Sequence, residues 1–295
     1  MKHSLSKVSL ALGLLASAAA FNIAQAASLV GINSSNQIGV FDSGNVAAAS
    51  FINISGLNSG ESLIGIDLRP SNNTIYGISS TNNVYTVNAN SGVATFVTAL
   101  SSPIINSSLG YGFDFNPVAD FAGNASLRLV SSAGSNYAIN ANTGAVAVAT
   151  NISAGNSAVA YSNSTTAGAP SGTQLYYVNS GNDTLSVATA NFNAPTITKI
   201  GDLTLNGNPL DILNANGFEL LGDGNAFLAA TLNDGIFKTQ LFNINLATGA
   251  ATQLGTFNGT LNGLAAAPSA VPVPAAAWLF GSALFGFAGF RRKSV

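Results

Sequence analysis

Between residues 28 and 268, apolar and polar residues alternate in short runs. In Tyr85-Thr86-Val87-Asn88 the first and third residues face one way and the second and fourth the other, as successive side chains on a strand do. The runs break at Asn-Gly, Ser-Gly and Thr-Gly steps, the signal of strands joined by tight hairpins. Ser91-Gly92 thus turns the chain into a partner strand, Val93-Ala94-Thr95-Phe96-Val97. No part of this stretch sustains an apolar period of 3.6 residues, which predicts very little helix.

The alternation is organised as an internal repeat. Gly65-Ile66-Asp67-Leu68-Arg69-Pro70 and Gly112-Phe113-Asp114-Phe115-Asn116-Pro117 share a pattern of Gly, apolar, Asp, apolar, polar, Pro, and lie 47 residues apart. Ala158-Val159-Ala160-Tyr161-Ser162-Asn163 is a weaker copy, and Gly263-Leu264-Ala265-Ala266-Ala267-Pro268 closes the series. A second element recurs in its own register: Val84 to Gly92, Asn136 to Gly144 and Leu241 to Gly249 each end in Asn-x-x-Ser/Thr-Gly, with fainter copies at Thr184 to Val187 and Ile38 to Phe41. Taking Phe41, Val87, Ile139, Val187 and Ile244 as equivalent gives spacings of 46, 52, 48 and 57.

Five units of about fifty residues, each long enough for four short strands, fit the blades of a β-propeller. The chain opens on a late-blade hairpin and ends on an inner-strand copy, so the last strand can complete the first blade and close the ring. The expected fold is all-β: five four-stranded blades closed by pairing of the N- and C-terminal strands, with helices confined to the terminal segments. Six blades and an open solenoid are the other arrangements of such a repeat.

Composition narrows the chemistry. Apolar residues make up 47% of the chain and charged residues 7%, against about 25% charged in typical soluble domains. Small neutral residues fill the difference, including 31 Gly and 35 Asn. Arg69, Arg128, Lys199 and Lys238 are the only cations between the terminal segments, against eleven acids, so the body of the protein is seven charges negative. Four scattered cations cannot neutralise a phosphate backbone, which excludes nucleic acid as a partner.

The two ends read as processing signals. Lys2 and Lys7, an apolar stretch from Val8 to Phe21, and Ala24-Gln25-Ala26 before Ala27 form the three parts of a secretory signal over residues 1–26, cut by signal peptidase. His3, the only histidine, would leave with it; the chain has no Cys. That removes Ser-His-Asp and Cys-His nucleophiles, His- or thiolate-bound metals and disulfides from the mature body, residues 27–268.

At the other end, residues 269–295 hold Val271-Pro272-Val273-Pro274, an apolar stretch from Ala275 to Phe290, and Arg291-Arg292-Lys293. Sixteen apolar residues span about 24 Å as a helix, and a basic end holds to the cytoplasmic side of a membrane. This tail resembles the PEP-CTERM sorting signal of Gram-negative exported proteins, although Val273 stands where that motif has Glu. The resemblance implies transient anchoring in the inner membrane and processing by an exosortase. The body resembles a bacterial family of exported propeller-like domains with no assigned function, through Leu29-Val30-Gly31-Ile32, the two Gly-apolar-Asp-apolar-x-Pro segments and the Asn-x-x-Ser/Thr-Gly hairpins. That resemblance implies a fold and supplies no activity.

Candidate chemistry rests on few residues. Asp67 and Asp114 occupy equivalent positions, which would place both on innermost strands near the axis, where they could present carboxylates to a ligand or Ca²⁺. In a purely structural role each would accept backbone amides where its strand runs into Pro. Arg69 shares the strand face of Asp67 and could pair with a carboxylate. Gly222-Asp223-Gly224-Asn225 and Asn233-Asp234-Gly235 read as hairpin turns, because an EF-hand count from Asp223 puts Phe227 at the fifth position and Asp234 at the twelfth.

The sequence assigns no catalytic residue, metal centre or cofactor beyond this possible calcium. Its first functional expectation is an exported, non-catalytic propeller at the cell surface or in the extracellular matrix, where amide-rich surfaces suit polysaccharide hydroxyls. The competing expectation is a glycan hydrolase using Asp67, Asp114 or Asp211 as acid and base. A lactonase-type metal propeller is disfavoured by the missing histidine.

Overall fold

A computed structural model describes residues 26–269. The signal segment through Gln25 and the tail from Ala270, with Val271, Pro272, Val273, Pro274, Arg291, Arg292 and Lys293, lie outside the described residues.

The alternating runs form five antiparallel sheets set around one axis as a five-bladed β-propeller. From axis to rim, the second blade runs Leu63–Arg69, Thr74–Ser79, Asn83–Val87 and Ala94–Ala99. The third begins on the axis with Tyr111–Phe115, the fourth with Asn156–Tyr161 and the fifth with Ile212–Leu220. The first blade is composite. Its innermost strand, Leu261–Ala266, comes from the end of the domain and pairs antiparallel with Ser28–Asn33 through Leu29–Ala266, Val30–Ala265 and Gly31–Leu264. The ring therefore closes by pairing of the first and last strands.

Each blade buries both faces against its neighbours, so five separate apolar clusters fill the five seams. The seam between the first and fifth blades, for example, packs Leu29 and Phe41 against Phe227 and Leu241. Burial on both faces explains why the inner strands lose the alternation seen further out: all six residues of Asn156–Tyr161 are buried.

Two recurring glycines have different jobs. Gly112 lies where the inner strands of the third and fourth blades touch; a Cβ there would sit 2.7 Å from the Val159 nitrogen and 2.9 Å from Ala158 Cα. Gly65, Ala158, Gly217 and Gly263 hold the same level on the other blades, and the axis there pinches to a cavity of about 10 Å³. Gly144, at the rim, adopts φ +72°, and a Cβ would meet the Ala99 carbonyl oxygen of the preceding blade at 1.9 Å. Before it, Asn140 Oδ1 accepts the N–H groups of Asn142 (3.0 Å) and Thr143 (3.1 Å), an Asx turn. The Asn-x-x-Thr-Gly motif is thus a turn plus a docking point for the neighbouring blade.

The architecture departs from the sequence expectation in two details. The fifth blade's sheet has six strands, because Thr204–Leu205 and Asn208–Pro209 add to its outer edge, the former parallel to Ala250–Thr256. Helical turns also occur inside the body, at Val46–Ala48 and from Pro117 to Asn124. The second starts where Asn116 Oδ1 accepts the Ala119 N–H at 3.0 Å with Pro117 in the first turn, a capping arrangement that an alternation search does not detect.

Candidate functional site

The inner strands carry the site. Two residues beyond the glycine level, the five blades present Asp67, Asp114, Ala160, Glu219 and Ala265. The three acids are buried, with exposures of 3%, 2% and 2%, and one carboxylate oxygen from each lies within 4.8 Å of the other two. The structure brings Asp67 and Asp114 together, as their equivalence in the repeat implied, and adds Glu219.

The geometry follows the pseudo-symmetry of the ring. Asp67 Oδ2 accepts the N–H of Phe115 at 2.7 Å, and Asp114 Oδ1 accepts that of Tyr161 at 3.2 Å. In each case the donor follows the equivalent position on the next blade. The Ala266 N–H, at the equivalent place beside Glu219, pulls that carboxyl's pKa down. Asp67 Oδ1 also accepts the N–H of Leu68 at 2.6 Å. These acids therefore tie inner strands together besides facing one another.

Burial dominates their electrostatics. Loss of water pushes Asp67 up to about 7, against the pull of the Phe115 and Leu68 amides. Asp114 is raised well above the carboxylate range, first by burial and then by the charges of Asp67 and Glu219. Glu219 is raised likewise, first by burial and then by the charge of Asp67. Three ionised carboxylates this close and this buried would repel strongly, so the cluster must carry protons or a counter-ion.

Arg69 does not supply that counter-charge. Its Nε donates to Asp120 Oδ1 at 2.7 Å and its Nη1 to Asn142 Oδ1 at 2.7 Å, while the guanidinium lies over Tyr76 and Phe115. The carboxylate expected for Arg69 is thus Asp120, away from the axial cluster, and the pair stitches the second blade to the third. Arg128 is used similarly, donating to Asn136 at 2.9 Å and Asn193 at 3.0 Å. Asp211 stands apart, exposed, accepting from Asn233 at 3.1 Å beside a cleft of about 370 Å³ that Asp234 also lines. Asp223 and Asp234 accept N–H groups two residues on, from Asn225 and Ile236, as hairpin-turn residues do.

Sequence reasoning missed Glu219 and Asp120. The signal for Glu219 was present, since Gly217-Phe218-Glu219-Leu220 repeats Gly, apolar, acid, apolar, but it lacks the closing Pro.

Residues 37–265 match the family model described as Domain of unknown function (DUF4394). The chain belongs to that family. Among curated proteins, none matches this DUF4394 chain. Of solved structures, the DUF4394 chain is similar to one in the nidogen/laminin complex at 11% identity and a TM-score of 0.47, covering 81% of this chain and 97% of that one. It is also similar to regucalcin, a calcium-binding protein from Agrobacterium tumefaciens, at 12% identity and a TM-score of 0.40, covering 79% and 74%. Neither likeness transfers a residue role or a ligand to the DUF4394 chain.

Proposed function

We propose that this chain is an exported, non-catalytic propeller that binds neutral polysaccharide at the cell surface or in the extracellular matrix. The observation that carries this reading is the lining of its open clefts. One of about 540 Å³ is bounded by Asn73, Thr86, Asn88, Asn90, Ser91 and Thr95, with no charged side chain. Another of about 500 Å³, near the axis, also has no charged lining and presents the exposed ring of Phe237 beside Asn214, Asn216 and Asn262. Amides and hydroxyls around an aromatic face match the alternating polar edges and apolar faces of a sugar.

General acid–base cleavage of a glycan needs two carboxyl groups flanking the bond within reach of substrate, about 5–9.5 Å apart. Asp67, Asp114 and Glu219 are buried, out of reach of a substrate, which speaks against the hydrolase reading. Export rests on the terminal segments: signal peptidase would cut between Ala26 and Ala27, and an exosortase near Val271 to Pro274, leaving the protein outside a Gram-negative inner membrane.

Co-sedimentation of the mature protein with an insoluble neutral glucan, alongside a reducing-end assay, tests the reading. Binding without release of reducing ends, weakened by Phe237→Ala, supports it. Release of reducing ends that disappears in Asp67→Asn would replace it with the hydrolase.

A further inference from the structure

We propose that Asp67, Asp114 and Glu219 together bind one calcium ion on the propeller axis. This site is independent of what the outer clefts hold.

Three observations converge on it. The first is geometric: one oxygen from each of three blades lies within 4.8 Å of the others, no wider than the span across a shell with Ca–O distances of about 2.3–2.6 Å. The second is an unmet bonding capacity. Glu219 Oε2 is buried without a hydrogen-bond partner, on a side chain 2% exposed whose carboxyl lies in the cluster. A carboxylate oxygen left so, deep in a propeller, is costly unless an ion takes it up. The third is charge. Among the described residues the ion pairs are Arg69–Asp120 and Lys199–Asp202, and none of their cations pairs with the trio.

The donor chemistry selects the ion. All three ligands are carboxylates, and the mature body has no His or Cys, which disfavours the softer transition metals and leaves a hard, oxygen-seeking cation. Ala160 and Ala265, at the same level on the remaining blades, keep that part of the axis free of larger side chains. On the side beyond the cluster lies a cleft of about 210 Å³, lined by Leu68 and Ala266 of the inner strands and by Leu221 and Ala267, which follow those strands.

Because each ligand comes from a different blade, the ion would act as a pin. Binding would stabilise the closed ring and couple stability to calcium outside the cell, where this ion is abundant and proteins without disulfides have few other fasteners.

The test is isothermal titration of the EDTA-treated mature protein with CaCl₂ at pH 8, with thermal unfolding followed in parallel. The expected result is one ion per chain, a rise in Tm with calcium, and weaker binding by on the order of a hundredfold in both Glu219→Gln and Asp114→Asn. Either variant that folds, judged by its far-ultraviolet dichroism, decides the point. No heat and no Tm shift at millimolar calcium in the folded native protein would overturn the site, with protons then the sole occupants of the cluster. A calcium response undiminished in a folded Glu219→Gln variant would overturn it too, assigning the ion to exposed acids such as Asp211 and Asp234.

Discussion

The backbone N–H of Phe115 donates to Asp67 Oδ2 at 2.7 Å, across the seam between the second and third blades. A sheet ladder cannot make this contact, since the two residues belong to different sheets. Asp67 is thus a strand-to-strand tie and a member of the axial cluster at once. Asp67→Ala leaves the Phe115 and Leu68 amides without that acceptor and should cost about 1–3 kcal/mol. Asp67→Asn keeps one acceptor oxygen and should cost less. Urea unfolding of both variants checks this, and equal losses would show that the amide ties contribute nothing.

The pinch in the axis makes Gly112 intolerant of any side chain. Gly112→Ala places a Cβ 2.7 Å from backbone that cannot swing aside, so a loss of about 1–3 kcal/mol is expected. Gly123→Ala is a useful contrast, because nothing lies within 4 Å of its Cβ position and only its positive φ opposes the change. A denaturation midpoint for Gly112→Ala at the native value would mean that the inner strands stand further apart.

Removing Asp120 strands a buried guanidinium. The side chains of Arg69 and Asp120 are 9% and 0% exposed, and Asp120 also accepts the Ser71 N–H at 2.9 Å. Asp120→Ala should therefore cost about 3–5 kcal/mol, with Arg69→Lys milder but still destabilising, since a lysine cannot reach Asp120 and Asn142 as a fork. Thermal unfolding reads both, and a Tm for Asp120→Ala near the native one would contradict the pairing.

Much of this was legible in the residues. The Asn-x-x-Ser/Thr-Gly hairpins and the Gly-apolar-Asp-apolar-x-Pro segments carry the blade period, because each marks a place where backbone must turn or approach closely. Their equivalence was enough to put Asp67 and Asp114 on inner strands. Glu219 escaped because the fifth unit is longer and has Gly222 in place of the closing Pro, while its strand is irregular, with pairing shifts at Ile212/Asn214 and Ala215/Gly217. The partner of Arg69 escaped for another reason. Asp120 sits in a helical turn 51 residues away, and strand alternation says nothing about what such an insertion delivers to a neighbouring blade.

Without calcium, stability should fall as pH rises. Asp67 is raised in the folded state to about 7 from an ordinary value of 3.8, so between these values the native protein holds more protons than the unfolded chain. The unfolding free energy then decreases with pH through that window and levels off above it, by on the order of 4 kcal/mol for a shift of this size. Asp114 and Glu219 are raised as well and act in the same direction. Urea unfolding in EDTA at pH 5 and pH 8.5 checks the sign; a protein more stable at pH 8.5 would contradict it.

The convergence of three carboxyl groups on the axis is tested most directly by carbon-13 NMR titration of the side-chain carboxyls in calcium-free protein. The chain has only eleven acids, so individual curves can be resolved. Three of them, assigned by Asp67→Asn, Asp114→Asn and Glu219→Gln, should titrate far above the rest, with Asp67 near 7 and each curve moving when either neighbour is replaced. Eleven curves all centred in the ordinary carboxylate range, indifferent to one another's substitution, would show that these acids never meet.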